Sequence, residues 1–155
     1  YVPQDIHLFG GTIKQNILGI HKFIDDEWML ECSKTSGTDE FVRMHPAGYD
    51  MPLGERGSGL SGGQRQSVGI ARALINNSDI WMFDEPTNAM DQTSESIVLN
   101  NLMSKVEGKT LLLVTQKMSM VDLVDRIIVM NFGSKVLDGP KDEIINKLGN
   151  SGEKQ

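Results

Sequence analysis

The chain of 155 residues has little cysteine and no long run of apolar side chains. Its single cysteine, Cys32, excludes an internal disulfide framework and fits a reducing compartment. Apolar runs such as Leu111 to Val114 fall far short of the roughly 20 residues that span a bilayer, so this segment is not expected to cross a membrane. The 21 acidic residues outnumber the 15 basic ones, and the net charge of -6 argues against a nucleic-acid-binding surface.

The phosphate-binding pattern G-x-x-x-x-G-K-S/T is missing as well. Gly108 to Thr110 resembles the end of this pattern, but Met103 stands at the position of the first glycine and a strand is predicted where a helix is required. The chain opens on Tyr1 with neither an initiator Met nor a signal peptide, which suggests a cut inside a longer polypeptide. The histidines lack the spacing of a zinc site: His7, His21 and His45.

Apolar periodicity predicts helices first and then an alternation of strands and helices. The expected helices are Thr12 to Leu18, Asp25 to Lys34, Gly37 to Met44, Ser61 to Leu74, Gln92 to Val106, Ser119 to Leu123 and Pro140 to Gly149. The expected strands are Ile80 to Phe83, Thr110 to Thr115, Arg126 to Met130 and Lys135 to Leu137. We therefore predict an α/β fold with a mostly parallel sheet, divided into a helical part (5–77), a core (78–150) and a tail (151–155).

Two acidic residues end the first predicted strand. The continuous apolar run before Asp84 and Glu85 is typical of a strand buried on both faces of a parallel sheet. Ligands bind at the carboxyl edge of such sheets, where one carboxylate can hold Mg²⁺ while the other polarises a water that attacks a phosphate. Loops after strands are often polar, which would also explain two adjacent acids, so this pair alone does not identify a catalytic site.

A glycine pair precedes this strand at the start of a predicted helix. Ser61 is a good N-cap, and the free N–H groups of a helix start favour an anion. Gly62 and Gly63 would let a phosphate approach the backbone. The whole run from Leu60 to Gln66, in register before an apolar strand and two acids, is far more specific than a flexible cap.

Together these motifs resemble the nucleotide-binding domain of an ABC transporter, which has a P-loop NTPase-like fold. The resemblance covers nearly the whole chain, from just inside the family's Q-loop to the end of the domain. It implies ATP and Mg²⁺ as cofactors, and it implies roles for individual residues. The resemblance implies that Gln4 is the Q-loop glutamine that reaches Mg²⁺ and the attacking water, that Asp84 is the Walker B aspartate and that Glu85 is the catalytic base. It implies that Asp91 belongs to the D-loop, Asn88 to Asp91. The signature that closes over ATP held by the opposite subunit is then formed by Leu60, Ser61, Gly62, Gly63 and Gln64.

Further segments are similar to exporters of this family. Gly54 to Gly57 resembles the segment that exporters place against the coupling helices of their membrane domains. Gly48 to Gly57, Asn88 to Asp91 and Val121 to Arg126 look like the ATPase of bacterial type I secretion systems, which export RTX toxins and adhesins. The resemblance implies a second nucleotide-binding domain and transmembrane domains, fused upstream, as partners. It places the protein at the cytoplasmic face of the bacterial inner membrane, with no nucleic acid bound.

The chain departs from the family pattern at Gln116, where a switch histidine is expected. An amide can donate a hydrogen bond to a phosphate oxygen, but it cannot carry the proton or the charge of an imidazole. We expect Glu85 to sustain hydrolysis. Two alternatives stay open: an ABC-type ATPase of DNA repair or chromosome maintenance, which the acidic charge opposes, and a nucleotide-sensing module in which Gln116 has stopped turnover.

Without a phosphate loop, the isolated chain should bind ATP weakly, because it offers the closing half of a site without the cradle. Loss of the strand that carries that loop should also leave an open sheet edge. We expect this edge to belong to the strand ending at Asp84, and an open apolar edge invites pairing with another chain.

Overall fold

A computed structural model describes residues 1–21 and 24–152. The α-helices are α1 (Ile13–Leu18), α2 (Asp26–Thr35), α3 (Thr38–Val42), α4 (Gly62–Leu74), α5 (Gln92–Met103) and α6 (Lys141–Gly152). The strands are β1 (Gly11–Thr12), β2 (Pro52–Leu53), β3 (Ile80–Asp84), β4 (Thr110–Val114), β5 (Arg126–Asn131) and β6 (Ser134–Pro140). Short 3-10 helices cover Gly48–Asp50, Glu55–Gly57 and Met118–Leu123.

The chain forms two compact units, residues 1–116 and residues 117 onward. The predicted division at residue 77 is a different one, and it stays a prediction. In the described part of the chain, no helix is both long and apolar enough to cross a membrane.

The first unit is organised around α4, which contacts α1, α2 and α3. Helix α4 is buried on more than one side, because Val68 and Ile70 lie two residues apart, on nearly opposite sides of the helix, and both are fully buried. Helix α2 begins one residue later than predicted, with Asp25 as its N-cap; the acids predicted for its first turn are present and stabilise the positive end of the helix dipole. The predicted helical region is therefore present, with boundaries that differ by one or two residues.

Strands β3 and β4 are parallel, with Ile80 opposite Thr110 and Asp84 opposite Val114. The other edge of β3 is occupied by Val2, whose N–H donates to the Met82 carbonyl at 2.8 Å and whose carbonyl accepts from the Asp84 N–H at 2.9 Å. The prediction of an open edge on β3 was therefore wrong. Among the described residues, it is the outer edge of β4 that has no strand partner.

The prediction that β3 is buried on both faces was also wrong. Trp81 and Phe83 point into the core with their rings stacked at 5.8 Å, whereas Ile80 and Met82 on the opposite face are exposed. Leu112 and Val114 of β4 are exposed too. The described residues cover only one face of this sheet, so an apolar run that sequence alone associates with double burial here alternates between inside and outside.

The second unit contains an antiparallel hairpin, β5 and β6, which are the two strands predicted on either side of a short turn. Phe132 and Gly133 both have positive φ at the turn, as two-residue hairpin turns require. Helix α6 packs on the hairpin through the fully buried Ile144. Gly149 does not end this helix as predicted, because α6 continues to Gly152. A glycine inside a helix costs only about 1 kcal/mol, which is too little to stop it.

Candidate nucleotide-binding site

Three parallel backbone segments end at the same edge of the first unit's sheet. Gln4 follows the paired residue Val2, the acids Asp84 and Glu85 end β3, and Gln116 follows β4. The carboxyl ends of parallel strands are where α/β proteins bind ligands. The structure therefore brings the two predicted catalytic residues, Glu85 and Gln116, to one edge together with the predicted metal ligands.

Glu85 has an unusual backbone for its residue type. Its φ of 46° lies in the left-handed region, which costs a side-chain-bearing residue about 1–2 kcal/mol. Hydrogen bonds hold it there: its N–H donates to the Val114 carbonyl at 2.9 Å, and its carbonyl accepts from the Asn88 N–H and from Gln66 Nε2, both at 3.2 Å. The residue is 8% exposed. A strained residue fixed by several partners is typical of a functional position.

The N-terminus of α4 is closed by its own side chains. Ser61 Oγ accepts from the Gln64 N–H at 3.1 Å, and Gln64 Oε1 accepts from the Ser61 N–H at 2.9 Å. This reciprocal pair is a capping box and confirms Ser61 as the N-cap. Leu60 is buried, and its carbonyl accepts from the Arg65 guanidinium at 2.6 Å. Of the predicted signature, Leu60 therefore anchors the helix start rather than lining an open surface.

Gly62 and Gly63 lie against the segment that follows β3 in the same chain. A Cβ on Gly62 would be 3.0 Å from Ala89 Cβ, and a Cβ on Gly63 would be 3.1 Å from the Ala89 carbonyl oxygen and 3.3 Å from Met90 Cα. Glycine at both positions is needed for this close approach. These glycines were predicted to let a phosphate approach the backbone; in the structure they allow the start of α4 to pack against Ala89 and Met90.

Asp91 caps the next helix. Its Oδ1 accepts from the Ser94 N–H at 2.9 Å and its Oδ2 accepts from Ser94 Oγ at 3.0 Å. The hydrogen bond from the Ser94 N–H, followed by that from the Ser94 hydroxyl, holds the pKa of the Asp91 carboxyl below its ordinary value. Asp91 is thus ionised and oriented at the N-terminus of α5, at the end of the segment against which the glycine pair lies.

Two clefts flank the start of α4. One, of about 300 Å³, is lined by Ser61, Gly63, Gln64 and Asp91 from the predicted site, together with Phe41 and Ile97. The other, of about 520 Å³, is lined by Gln4 and Gly62 and by the charged side chains of Glu55 and Arg65. Neither of these two clefts is lined by Asp84, Glu85 or Gln116. The structure therefore brings Ser61, Gly63 and Gln64 of the predicted signature into one cleft with Asp91, whereas the acids Asp84 and Glu85 lie at the sheet edge.

Sequence reasoning missed Gln66, which is 5% exposed and joins these parts. Its Oε1 accepts from the Ala89 N–H at 2.8 Å, while its Nε2 donates to the Glu85 carbonyl. One signal was available: Gln66 lies four residues before the fully buried Ile70 and therefore on the core face of α4, where a polar side chain needs partners.

The residues at the sheet edge suit Mg²⁺ in their chemistry, because a carboxylate and an amide oxygen are hard ligands. Among the described residues, no group of three or more His, Cys, Asp or Glu side chains could hold a metal by itself. Mg²⁺ in phosphate-transfer sites is usually bound by one or two carboxylates plus the phosphates of the substrate, so Asp84 with Gln4 is a fitting set.

A parallel sheet edge that carries paired acids is typical of the nucleotide-binding fold of P-loop NTPases. A family model described as ABC transporter matches residues 1–88. The leukotoxin translocation ATP-binding protein of Mannheimia haemolytica is 40% identical over 144 residues, which cover 93% of this chain and 20% of that protein. An uncharacterised ABC transporter ATP-binding protein of Sinorhizobium fredii is 38% identical over 149 residues, 96% of this chain and 25% of that protein.

Among solved structures, that of a bacterial Atm1-family ABC exporter with ATP bound matches with a TM-score of 0.87 at 32% identity, over 94% of this chain and 26% of that one. The chain belongs to the ABC transporter family. The predicted ABC ATPase fold and the resemblance to ATPases of toxin export are thereby confirmed. The chain spans between 20% and 26% of the length of these relatives.

Proposed function

We propose that this chain is the signature and Walker B portion of an ATP-hydrolysing module that powers a membrane exporter, with protein secretion of type I as its task. The observation that carries the proposal is the placement of Glu85, held in a left-handed conformation at the carboxyl edge of a parallel sheet. The names of the relatives, which are leukotoxin translocation proteins, support toxin or adhesin export over DNA repair. Their greater length supports partners outside this segment: a second nucleotide-binding domain and transmembrane domains at the cytoplasmic face of the membrane.

In this proposal each residue has a defined task. The carboxylate of Glu85 accepts a proton from the water that attacks the γ-phosphate of ATP. Asp84 and Gln4 would hold Mg²⁺, which neutralises phosphate charge when it is bound. Gln116 donates its amide hydrogen to a phosphate oxygen and leaves proton transfer to Glu85. Leu60 to Gln64 closes over ATP held by the opposite subunit, so that two chains complete each site.

The test is the ATPase activity of the full-length protein in lipid. Glu85→Gln keeps the size of the side chain and leaves the backbone hydrogen bonds of this residue in place, but it removes the base. We expect kcat to fall by about 10²–10⁴-fold. Glu107→Gln makes the same chemical change at an exposed position and should leave kcat unchanged. Equal, measurable rates for the native protein and Glu85→Gln would refute the assignment of Glu85. A native protein without ATPase activity would leave the sensing module as the better interpretation.

A further inference from the structure

Gln66 connects the helix that begins at the signature with the backbone of the proposed catalytic base. Its carboxamide lies between two backbone groups of the same loop: Nε2 is 3.2 Å from the Glu85 carbonyl oxygen, and Oε1 is 2.8 Å from the Ala89 nitrogen. These two residues mark the start of the loop and its approach to Asp91. A single side chain of α4 therefore fixes the loop at two points.

The loop dictates the orientation of the amide. A carbonyl faces one end of the Gln66 side chain and an N–H faces the other, so only one of the two amide orientations makes both hydrogen bonds. Glutamine is the uncharged side chain of this length that supplies a donor and an acceptor together. Because the residue is 5% exposed, both hydrogen bonds are largely shielded from solvent, although Gln66 and Ala89 also line the cleft of about 520 Å³.

The glycine pair makes this contact possible. Gly62 and Gly63 lie within contact distance of Ala89 and Met90, and any Cβ there would push the start of α4 away from the loop. Gln66 lies one helical turn after these glycines, and its side chain spans the short distance between α4 and the loop. The position of α4 and the position of the loop are therefore set together by packing and by hydrogen bonds.

The left-handed backbone of Glu85 needs this support. Its N–H is held by the Val114 carbonyl and its carbonyl by Asn88 and Gln66. Of these three partners, Gln66 belongs to a helix, α4, and makes its hydrogen bond with a side-chain atom, whereas Val114 and Asn88 use backbone atoms. We infer that Gln66 is a positioning residue for ATP hydrolysis, which holds the backbone of Glu85 in register with the signature helix through its two hydrogen bonds.

This inference rests on the proposed function, and its test uses the full-length protein in lipid. Gln66→Met keeps the length of the side chain and removes both hydrogen bonds. Because misplacement of a reacting group by about 1 Å can cost about 10²-fold in rate, we expect kcat to fall about 10- to 100-fold. KM for ATP should change by less than about threefold, since a loss confined to the transition state leaves ground-state binding intact.

Asn101→Leu is the matched control. The Asn101 amide also donates to a backbone carbonyl, that of Lys34 at 3.0 Å, but it lies at the other end of α5, away from Glu85. Both variants replace an amide with an apolar side chain of similar size, and melting temperatures of both report any general loss of stability. If Gln66→Met and Asn101→Leu have the same kcat while the native protein is active, the inference is overturned.

A second variant separates positioning from a purely structural role. In Gln66→Glu the ionised carboxylate accepts from the Ala89 N–H but cannot donate to the Glu85 carbonyl, whereas the protonated acid offers both a donor and an acceptor. Burial raises the pKa of a carboxyl group, so protonation falls within an accessible pH range. We expect the ratio of its kcat to the native kcat to rise as pH falls from about 8 to about 6.

A pH-independent deficit in Gln66→Glu would overturn the inference, because a deficit of packing alone has no reason to follow protonation. A native protein without ATPase activity would instead refute the proposed function. The two failures are therefore distinguishable in one series of measurements.

Discussion

The close approach of Gly69 in α4 to Ile6 provides a test of how tightly the segment after Gln4 packs against this helix. A Cβ on Gly69 would lie 2.5 Å from Ile6 Cδ1, 2.9 Å from Ile6 Cγ1 and 3.1 Å from Ile6 Cγ2. Glycine inside a helix is ordinarily a weakness, so Gly69→Ala alone should stabilise an unobstructed helix by about 1 kcal/mol. Here the half-buried Ile6 side chain occupies the space that the new methyl group needs.

The magnitudes follow from these two opposing effects. Forcing an extra methyl group into a filled site costs about 1–3 kcal/mol, which exceeds the gain in helix propensity. We expect Gly69→Ala to destabilise the first unit by up to about 2 kcal/mol. In an Ile6→Ala background the obstructing atoms are gone, and the same change should stabilise by about 1 kcal/mol. The interaction energy of the double-mutant cycle is then about 1–3 kcal/mol in favour of the double variant.

The assay is urea unfolding of the purified chain followed by tryptophan fluorescence. Both tryptophans, Trp28 and Trp81, lie in the first unit, so the signal reports that unit and not the hairpin unit. The decisive observation is the sign reversal between the two backgrounds. If Gly69→Ala changes the free energy of unfolding equally with Ile6 and with Ala at position 6, the seating of this segment on α4 is not as the structure shows.

Two further predictions concern titratable groups of the first unit. Burial raises the pKa of the Cys32 thiol to about 12, and the residue is 2% exposed, so Cys32 should resist a thiol reagent at neutral pH until the chain is denatured; rapid labelling of the folded chain would contradict its burial. The hydrogen bonds from Ser94 lower the pKa of Asp91, so the stability that this carboxylate contributes is present above its ordinary pKa of 3.8 and is lost as pH falls through the lower folded value. Melting temperatures of the native chain and of Asp91→Asn should therefore converge in acid, and a constant difference would refute the capping role.

The helical region could be predicted because its signals are local. Ser61 is an N-cap by residue type and position, and the structure adds only the reciprocal bond from Gln64. Strand β3 was predicted from an uninterrupted apolar run, and its parallel pairing with β4 is confirmed. The predicted burial of both faces of β3 was wrong, because the composition of a strand does not show which other residues cover each face. Ile80 and Met82 are apolar and nevertheless exposed within the described residues.

The geometry around Glu85 could not be predicted, because none of its causes is local. A left-handed glutamate has no sequence signature, and its backbone is held by Val114 from the neighbouring strand and Gln66 from a helix that precedes it by about twenty residues. The loop between Glu85 and Asp91 is constrained in three ways: Glu85 has a strained backbone, the glycine pair of α4 packs against Ala89 and Met90, and Asp91 caps α5. Each of these contacts alone is weak. Because all three involve the same short backbone segment, a displacement of the loop that disrupts one contact also disturbs the other two. A change at the start of α4 should therefore reach Glu85 through this loop without any movement of β3, which is the physical basis for expecting Gln66 to affect kcat more than stability.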